Sequence, residues 1–467
     1  MERRDFLRAV AGVGALNAVL PPGCKGPTAA DKKASTGDRL VGHRFLTFNS
    51  VIRVNQIEVA RTRNEGFDEY DRHTPENVRA LREALTGGWP GAPMTWAFSW
   101  RALHDERERY AALRRLMPEF HDRYGDDVTF IPGAYFANAY NTREQVNRDL
   151  RDGLVRVGDV MGGGFRPKSV IAGFLAADNL RYLSQEEGIQ VCQGNIWSQY
   201  AVDNQDGEGS ICYPYYPSRE HFCKPAQSRR DLIDCVNLDG WTMDFLAARR
   251  PGGVESRKRK QYSRMGVGPI ETIGRFGPET GLRQMLATTA VHFDTGFDLN
   301  GWAWVTNCWE ISLVPQVGHL EILTAWTRAI RERWPTSQCL LLGDFGRIWR
   351  EANRNNDGLD YRFRQRGTGI GGSDAEMEIR WFMNKDFRLA LLRNWQANQR
   401  EQVIDFTRYD LPAREPQDPT RSWSLMNRLN QKGIRPQDRP VPFEKLPRED
   451  QRIIVARYPN EDWGSRG

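Results

Sequence analysis

The chain has 467 residues, 39% hydrophobic and 27% charged, with 15 Trp, 14 Tyr and 21 Phe. That apolar and aromatic mass excludes a chain disordered throughout, and no run of about 18 apolar residues predicts a membrane span. The 7 Cys lack the spacing of a disulfide scaffold or a zinc site, and the net charge of +6 is dispersed among acidic residues rather than gathered into a nucleic-acid footprint.

The first segment, residues 1–24, places Arg3-Arg4-Asp5-Phe6-Leu7 ahead of a mildly apolar run from Ala9 to Leu20. It resembles a twin-arginine export signal. Gly23-Cys24 at its end resembles a lipoprotein cleavage site, which would make Cys24 a lipid anchor. Residues 25–41 read as a flexible tether. The expected location is therefore periplasmic or cell-surface, reached by the twin-arginine route.

From residue 42 strands and helices alternate. Arg44–Phe48 reads as a strand. Thr74-Pro75-Glu76 opens a helix, with Thr as N-cap and Pro at the first helical position, and Gly87-Gly88 closes it. Met94–Phe98 is the next strand. Tyr110, Leu113, Met117 and Phe120 mark a second helix, and Val128–Ile131 a third strand. Thr142 caps a helix carrying Val146, Leu150 and Leu154. A strand over Ser169–Leu175, a helix over Asn179–Glu187 with Asp178 as its cap, and a strand over Ile189–Cys192 follow. Such alternation predicts a parallel sheet with crossover helices. Residues 200–228, rich in Asp, Gly, Tyr and Pro, interrupt it. A helix near 229–235 and strands at Gly240–Phe245 and Pro269–Ile273 are expected next. Then come a helix over Glu279–Phe293, a strand over Gly301–Thr306, a long helix over Leu313–Trp334 and a strand over Cys339–Leu342. Residues 42–350 are thus of barrel size. Residues 358–460 read as a β-rich, sandwich-like domain. Glu378–Phe382 and Phe387–Leu392 flank a hairpin turn at Asn384-Lys385-Asp386, and Gln402–Phe406 and Arg452–Ala456 are further strands.

Leu46-Thr47-Phe48-Asn49-Ser50, the Thr74-Pro75 helix start and Ala92–Phe98 resemble successive segments of the polysaccharide deacetylase (NodB-homology) barrel, which several glycoside hydrolases share. The whole chain also resembles an exported bacterial family of unknown function, labelled provisionally glycoside hydrolase/deacetylase. The resemblance implies an α/β fold: a deacetylase-like (β/α) barrel followed by a small C-terminal domain. A deacetylase of this family holds a divalent metal with an Asp after the first strand and two His after the third. Here Asn49-Ser50 stand after the first strand, and Gly133–Tyr140 contains no His. His73 precedes Thr74-Pro75, but Asn77 stands where a second His would complete the motif. A neutral amide is a poor ligand for a divalent cation. No metal and no cofactor are expected.

Glycoside hydrolysis needs two carboxyl groups rather than a metal, and barrels place their chemistry at the C-terminal ends of strands. Asp244 and Glu271, each after an apolar stretch read as a strand, are the leading pair, and Glu310 is the third candidate. Glu58 or Glu310 is the first replacement should that pair prove too far apart. Trp197, Tyr213, Tyr215, Tyr216, Trp302 and Trp304 are expected to stack on sugar rings. Cys212 and Cys223, or either with Cys235, could close the Tyr-rich loop as a disulfide. The expected function is an exported, metal-independent glycoside hydrolase acting on a glycan, with no nucleic-acid partner. Its alternatives are a non-catalytic glycan-binding barrel and a metal-dependent deacetylase with relocated ligands.

Overall fold

The computed structural model describes residues 39–59, 63–133, 135–197, 208–249, 265–268, 270–417, 419–429, 436 and 439–463. The export segment and Cys24 lie outside these, as does nearly all of the tether. The described residues belong to one compact unit, Thr36–Gly467.

The first half follows the expected alternation. Strand β1 (Arg44–Ile52) leads to a short hairpin, β2 (Ile57–Val59) and β3 (Arg63–Glu65). Helix α1 (Pro75–Gly88), β4 (Thr95–Ser99), α2 (Glu108–Tyr124), β5 (Asp127–Ile131), α3 (Arg143–Met161), β6 (Val170–Ile171), α4 (Ala177–Gln185) and β7 (Val191–Asn195) follow. The caps form as read. Thr74 accepts from the Asn77 amide at 3.2 Å, and Thr142 accepts from the Gln145 amide at 3.2 Å. Asp178 does not cap α4. It pairs with Arg143 and Arg181, and the Ala177 amide is taken instead by Glu415, far along the chain, at 3.0 Å.

The second half departs from the reading in four places. No helix forms near 229–235, and β8 is Val236–Asp239 rather than Gly240–Phe245. Of the expected strand Pro269–Ile273, the described residues from Ile270 onward are helical instead: helix α5 (Ile270–Ala290) begins there and kinks at Gly277, whose φ is 78°. After β9 (Ala303–Glu310), the expected long helix is broken at Gly318, which takes a φ of 60°, so that α6 spans only Glu321–Arg333. Strand β10 (Gln338–Leu340) and helix α7 (Leu342–Ala352) complete this part.

The strands form two wholly parallel sheets. In the first, β1 pairs along one edge with β9, from Arg44↔Ala303 to Val51↔Glu310. Its other edge pairs with β10 near Leu46 and with β4 from Asn49 onward, and β5 lies beyond β4. The second sheet is β6-β7-β8. Local links join the two, among them the Phe136–Phe174 bridge on one side and the Thr242 amide donating to the Thr306 carbonyl at 2.9 Å on the other. A closed barrel ladder is not formed among the described residues.

The C-terminal part is one antiparallel sheet in the order β11 (Asp360–Arg366), β12 (Met377–Asn384), β13 (Phe387–Asn394), β14 (Gln402–Arg408) and β15 (Val441–Pro442). The hairpin turn is as read: Asn384 Oδ1 accepts from the Asp386 and Phe387 amides. The sandwich is not. Arg452–Ala456 lies in a helix, α8 (Arg448–Arg457), and this helix, not a second sheet, covers the outer face. The two-residue side-chain period explains the arrangement. Ile379, Trp381 and Met383 point into the main core, whereas Phe382, Phe387, Leu389 and Leu391 pack with Ile454 and Tyr458.

Candidate functional site at the strand ends

Four adjacent strands, β9, β1, β4 and β5, bring polar side chains to their C-terminal ends. Beyond β1, the Arg53 guanidinium is buried and faces two carboxylates. Nε and Nη2 donate to Glu69 at 2.8 and 3.2 Å, and Nη1 meets Glu310 at 2.9 Å. Glu310 ends β9, and Tyr135, beyond β5, hydrogen-bonds it. Burial alone would lower the Arg53 pKa, but Glu310, Glu69 and Tyr135 together carry it above the ordinary value. The Tyr135 phenol is pushed well above its usual range, first by burial and then by the Glu310 charge. The Glu310 side chain keeps 19% exposure, so solvent reaches it.

Glu58, on the β2 hairpin, lies on the other side of β1. One of its oxygens accepts from the Val54 amide and the Ser99 hydroxyl, both at 2.6 Å, and the other from the Arg101 amide at 3.3 Å. No cation pairs with it among the described residues. Burial dominates these hydrogen bonds and raises its pKa to about 7. Trp100, Arg101, His104 and Asp105 line an open cavity of about 430 Å³ next to it. There the Trp100 and His104 rings stack at 4.0 Å.

His73 serves this geometry rather than a metal. Its Nε2 accepts from the Arg53 amide at 3.2 Å, its Nδ1 donates to the Glu69 carbonyl at 3.0 Å, and burial lowers its pKa to about 4. The positions at which the deacetylase resemblance implies metal ligands do not fit one. Ser50 donates to the Trp309 carbonyl at 2.6 Å, and the Asn49 amide turns toward Gln193. No group of three or more His, Cys, Asp or Glu that could hold a metal occurs among the described residues.

The Asp244–Glu271 pairing rests on two strand ends that do not exist. Asp244 lies beyond β8 and is buried. One oxygen accepts from the Leu246 and Ala247 amides, the other from Gln284 and Gln365, both at 2.7 Å. A carboxylate so occupied ties α5 to β11 and has no position left for substrate. Glu271 falls in the first turn of α5, and its side chain lies outside the described part.

The expected sugar platform is interior. Tyr213 packs among Trp302, Trp304, Tyr361 and Phe363, and its hydroxyl accepts from the Trp304 amide at 2.9 Å. Tyr215 and Tyr216 donate to the carbonyls of Phe222 and Asn353. Trp197 packs on Phe245 and Trp381. Loops ordinarily lie at the surface, but the C-terminal sheet covers the described part of this one. The expected disulfide is absent: Cys212, Cys223 and Cys235 are not bridged, and Cys212 Sγ lies 3.6 Å from Met383 Sδ.

Arg53, Glu69 and Tyr135 escaped sequence reasoning. Arg and Tyr abound here, and only the pairing of β1 with β9 brings Arg53 to Glu310.

A family model described as a domain of unknown function with solved structure, DUF3863, matches residues 38–383. The chain belongs to the DUF3863 family. A second model of unknown function, DUF3864, matches residues 388–460. A solved protein from Parabacteroides distasonis, provisionally called a glycoside hydrolase/deacetylase, is 46% identical to this DUF3863 chain. It covers 90% of this chain and 98% of its own, with a TM-score of 0.82. A probable polysaccharide deacetylase from Pseudomonas aeruginosa PAO1 is 10% identical over 66% of this chain and 91% of its own, at a TM-score of 0.41. A GH57 branching enzyme from Thermococcus kodakaraensis is 11% identical over 63% and 69%, at 0.38. Curated proteins give no match.

Proposed function

We propose that this chain is a carbohydrate-processing hydrolase that cleaves a glycosidic bond at the ends of β9, β1 and β4, with Glu310 and Glu58 as its two carboxyl groups. The observation that carries the reading is the unlike setting of these acids on either side of Arg53. Glu310 is solvent-reached and paired with a guanidinium. Glu58 has no cation and keeps its proton up to about pH 7. A glycosidase requires such a division, one carboxylate to attack or to activate water and one acid to protonate the leaving oxygen. The provisional label of the Parabacteroides distasonis relative agrees with this class of substrate. Trp100 and His104 beside Glu58 offer an aromatic edge to a sugar ring.

Glu310→Gln and Glu58→Gln should each lower turnover on a panel of glycosides by about a hundredfold or more, with Glu310→Gln still folding cooperatively at a lowered melting temperature, because Glu69 continues to pair with the buried Arg53 guanidinium. Full turnover in either variant would sink the pairing. Glycan binding without turnover in the unaltered protein would favour a non-catalytic barrel. The reading also places the protein outside the cytoplasm, on the strength of Arg3-Arg4 before Phe6-Leu7. Replacing both Arg by Lys should strand the precursor in the cytoplasm, and unchanged export would refute the twin-arginine route.

A further inference from the structure

The C-terminal sheet carries a cleft that the reaction above does not use. It encloses about 610 Å³ between β12, β13, the turn after β13 and the chain end. One end is basic. Arg364, Arg366 and Arg393 all converge on Glu378, at 2.8, 2.9 and 2.7 Å. Glu378 is itself buried at 1% exposure, while the three guanidiniums remain 30–53% exposed. Three cations thus answer one carboxylate, and two of them, Arg364 and Arg393, line the cleft. The other end is acidic. Glu401 and Glu461 share a single guanidinium, that of Arg380. Beyond Arg380, against Phe382, lie Trp463 and Phe443, with rings stacked at 5.2 Å.

We propose that this cleft is a binding site for an acidic saccharide, a sugar chain carrying sparse carboxylate groups. The carboxylate would meet Arg364 and Arg393 in the bidentate geometry that guanidinium favours. Sugar hydroxyls would donate to Glu401 and Glu461, and the C–H face of a ring would lie on the aromatic wall. The acidic end decides against a nucleic acid, whose closely spaced phosphates would be driven from Glu401 and Glu461. The site does not depend on the catalytic reading, because binding can be measured without turnover.

The test measures affinity of the full chain for an oligogalacturonate, a neutral malto-oligosaccharide of equal length and a short single-stranded DNA. The uronate should bind at least tenfold tighter than either of the others, and should weaken severalfold as salt rises. Arg364→Gln should lose at least tenfold in uronate affinity. Asn398→Gly removes an exposed lining side chain at a backbone φ of 50°, which glycine adopts without strain. It should lose affinity severalfold while folding as the unaltered chain does, which keeps the test valid if Arg364→Gln unfolds. Equal affinity for uronate and neutral sugar, DNA binding as tight as uronate, or unchanged affinity in both variants would overturn the proposal.

Discussion

Glu58 shows how one buried side chain ties stability to chemistry. Its folded pKa of about 7 stands against an ordinary 4.5, so the folded chain keeps a proton that the unfolded chain releases between those values. The folded state then binds more protons, and the contribution of Glu58 to stability falls as pH rises from about 4.5 to about 7. Glu58→Gln removes this dependence. Relative to the unaltered protein, the variant should gain up to ~3 kcal/mol between about pH 4.5 and pH 8, measured by urea unfolding at both values. Turnover of the unaltered enzyme should decline above about pH 7 as the acid loses its proton. A stability difference that is the same at both pH values would mean that Glu58 titrates as an ordinary carboxylate. At this scale the sequence was half legible. Glu310 was readable as an acid following an apolar strand, and Glu58 as a loop acid near the first strand. Asp244 misled because its neighbours are apolar on both sides of a strand whose expected end, Phe245, lies well beyond the true one at Asp239. The aromatic residues misled because a polar loop can still be an inner one, once a sheet from elsewhere in the chain covers it.

Helices and strands were legible where local signals govern them. Thr74 and Thr142 caps, alternating strands and the Asn384 turn all depend on near neighbours. Pro269–Ile273 was misread because a short apolar run fits a strand or a buried helix start equally. The Gly87-Gly88 pair ends α1 as read, and Gly88 also serves the packing. A Cβ at Gly88 would stand 1.9 Å from Thr327 Oγ1 and 2.4 Å from the Thr324 carbonyl oxygen, whereas one at Gly87 meets nothing nearer than 3.5 Å. Helix α6 therefore crosses α1 at the distance a glycine allows. Gly88→Ala should destabilise by about 1–3 kcal/mol, because the Thr324 backbone cannot step aside. Gly87→Ala should be neutral or stabilise by up to ~1 kcal/mol through helix propensity. Denaturant unfolding of the two variants makes the comparison, and equal effects would contradict the close crossing. Glu415 adds a link between distant elements. It joins the Ala177 amide at the start of α4 to the Phe222 amide and to Arg143, fastening the segment after β14 onto the parallel sheets.

For the molecule as a whole, the two family models meet between residues 383 and 388, at the β12–β13 turn, which would suggest two separable domains. The packing argues otherwise. That boundary falls inside one antiparallel sheet, where Met377↔Asn394 through Met383↔Arg388 are paired across it. The inner face of the sheet, Ile379, Trp381, Met383 and Ala390, belongs to the same core as the parallel strands. Arg388 is fully buried, pairs with Asp405 at 2.7 Å and donates to the Ser210 carbonyl at 2.8 Å, in a segment that precedes β8. Gln365 of β11 holds Asp244, and Tyr361 donates to the Pro214 carbonyl. A chain ending at residue 386 would lose β13 and β14, expose the edge of β12, and leave Phe382 without Tyr458 and Trp463. Uncovered aromatic surface and an unpaired strand edge both promote aggregation. The full chain should therefore melt in a single calorimetric transition, with matching calorimetric and van't Hoff enthalpies. The chain cut at residue 386 should be insoluble, or soluble without a cooperative melt. Two resolved transitions in the full chain, or a cooperative melt of the shortened one, would show that the two matched segments fold independently and that the shared core contributes little to their union.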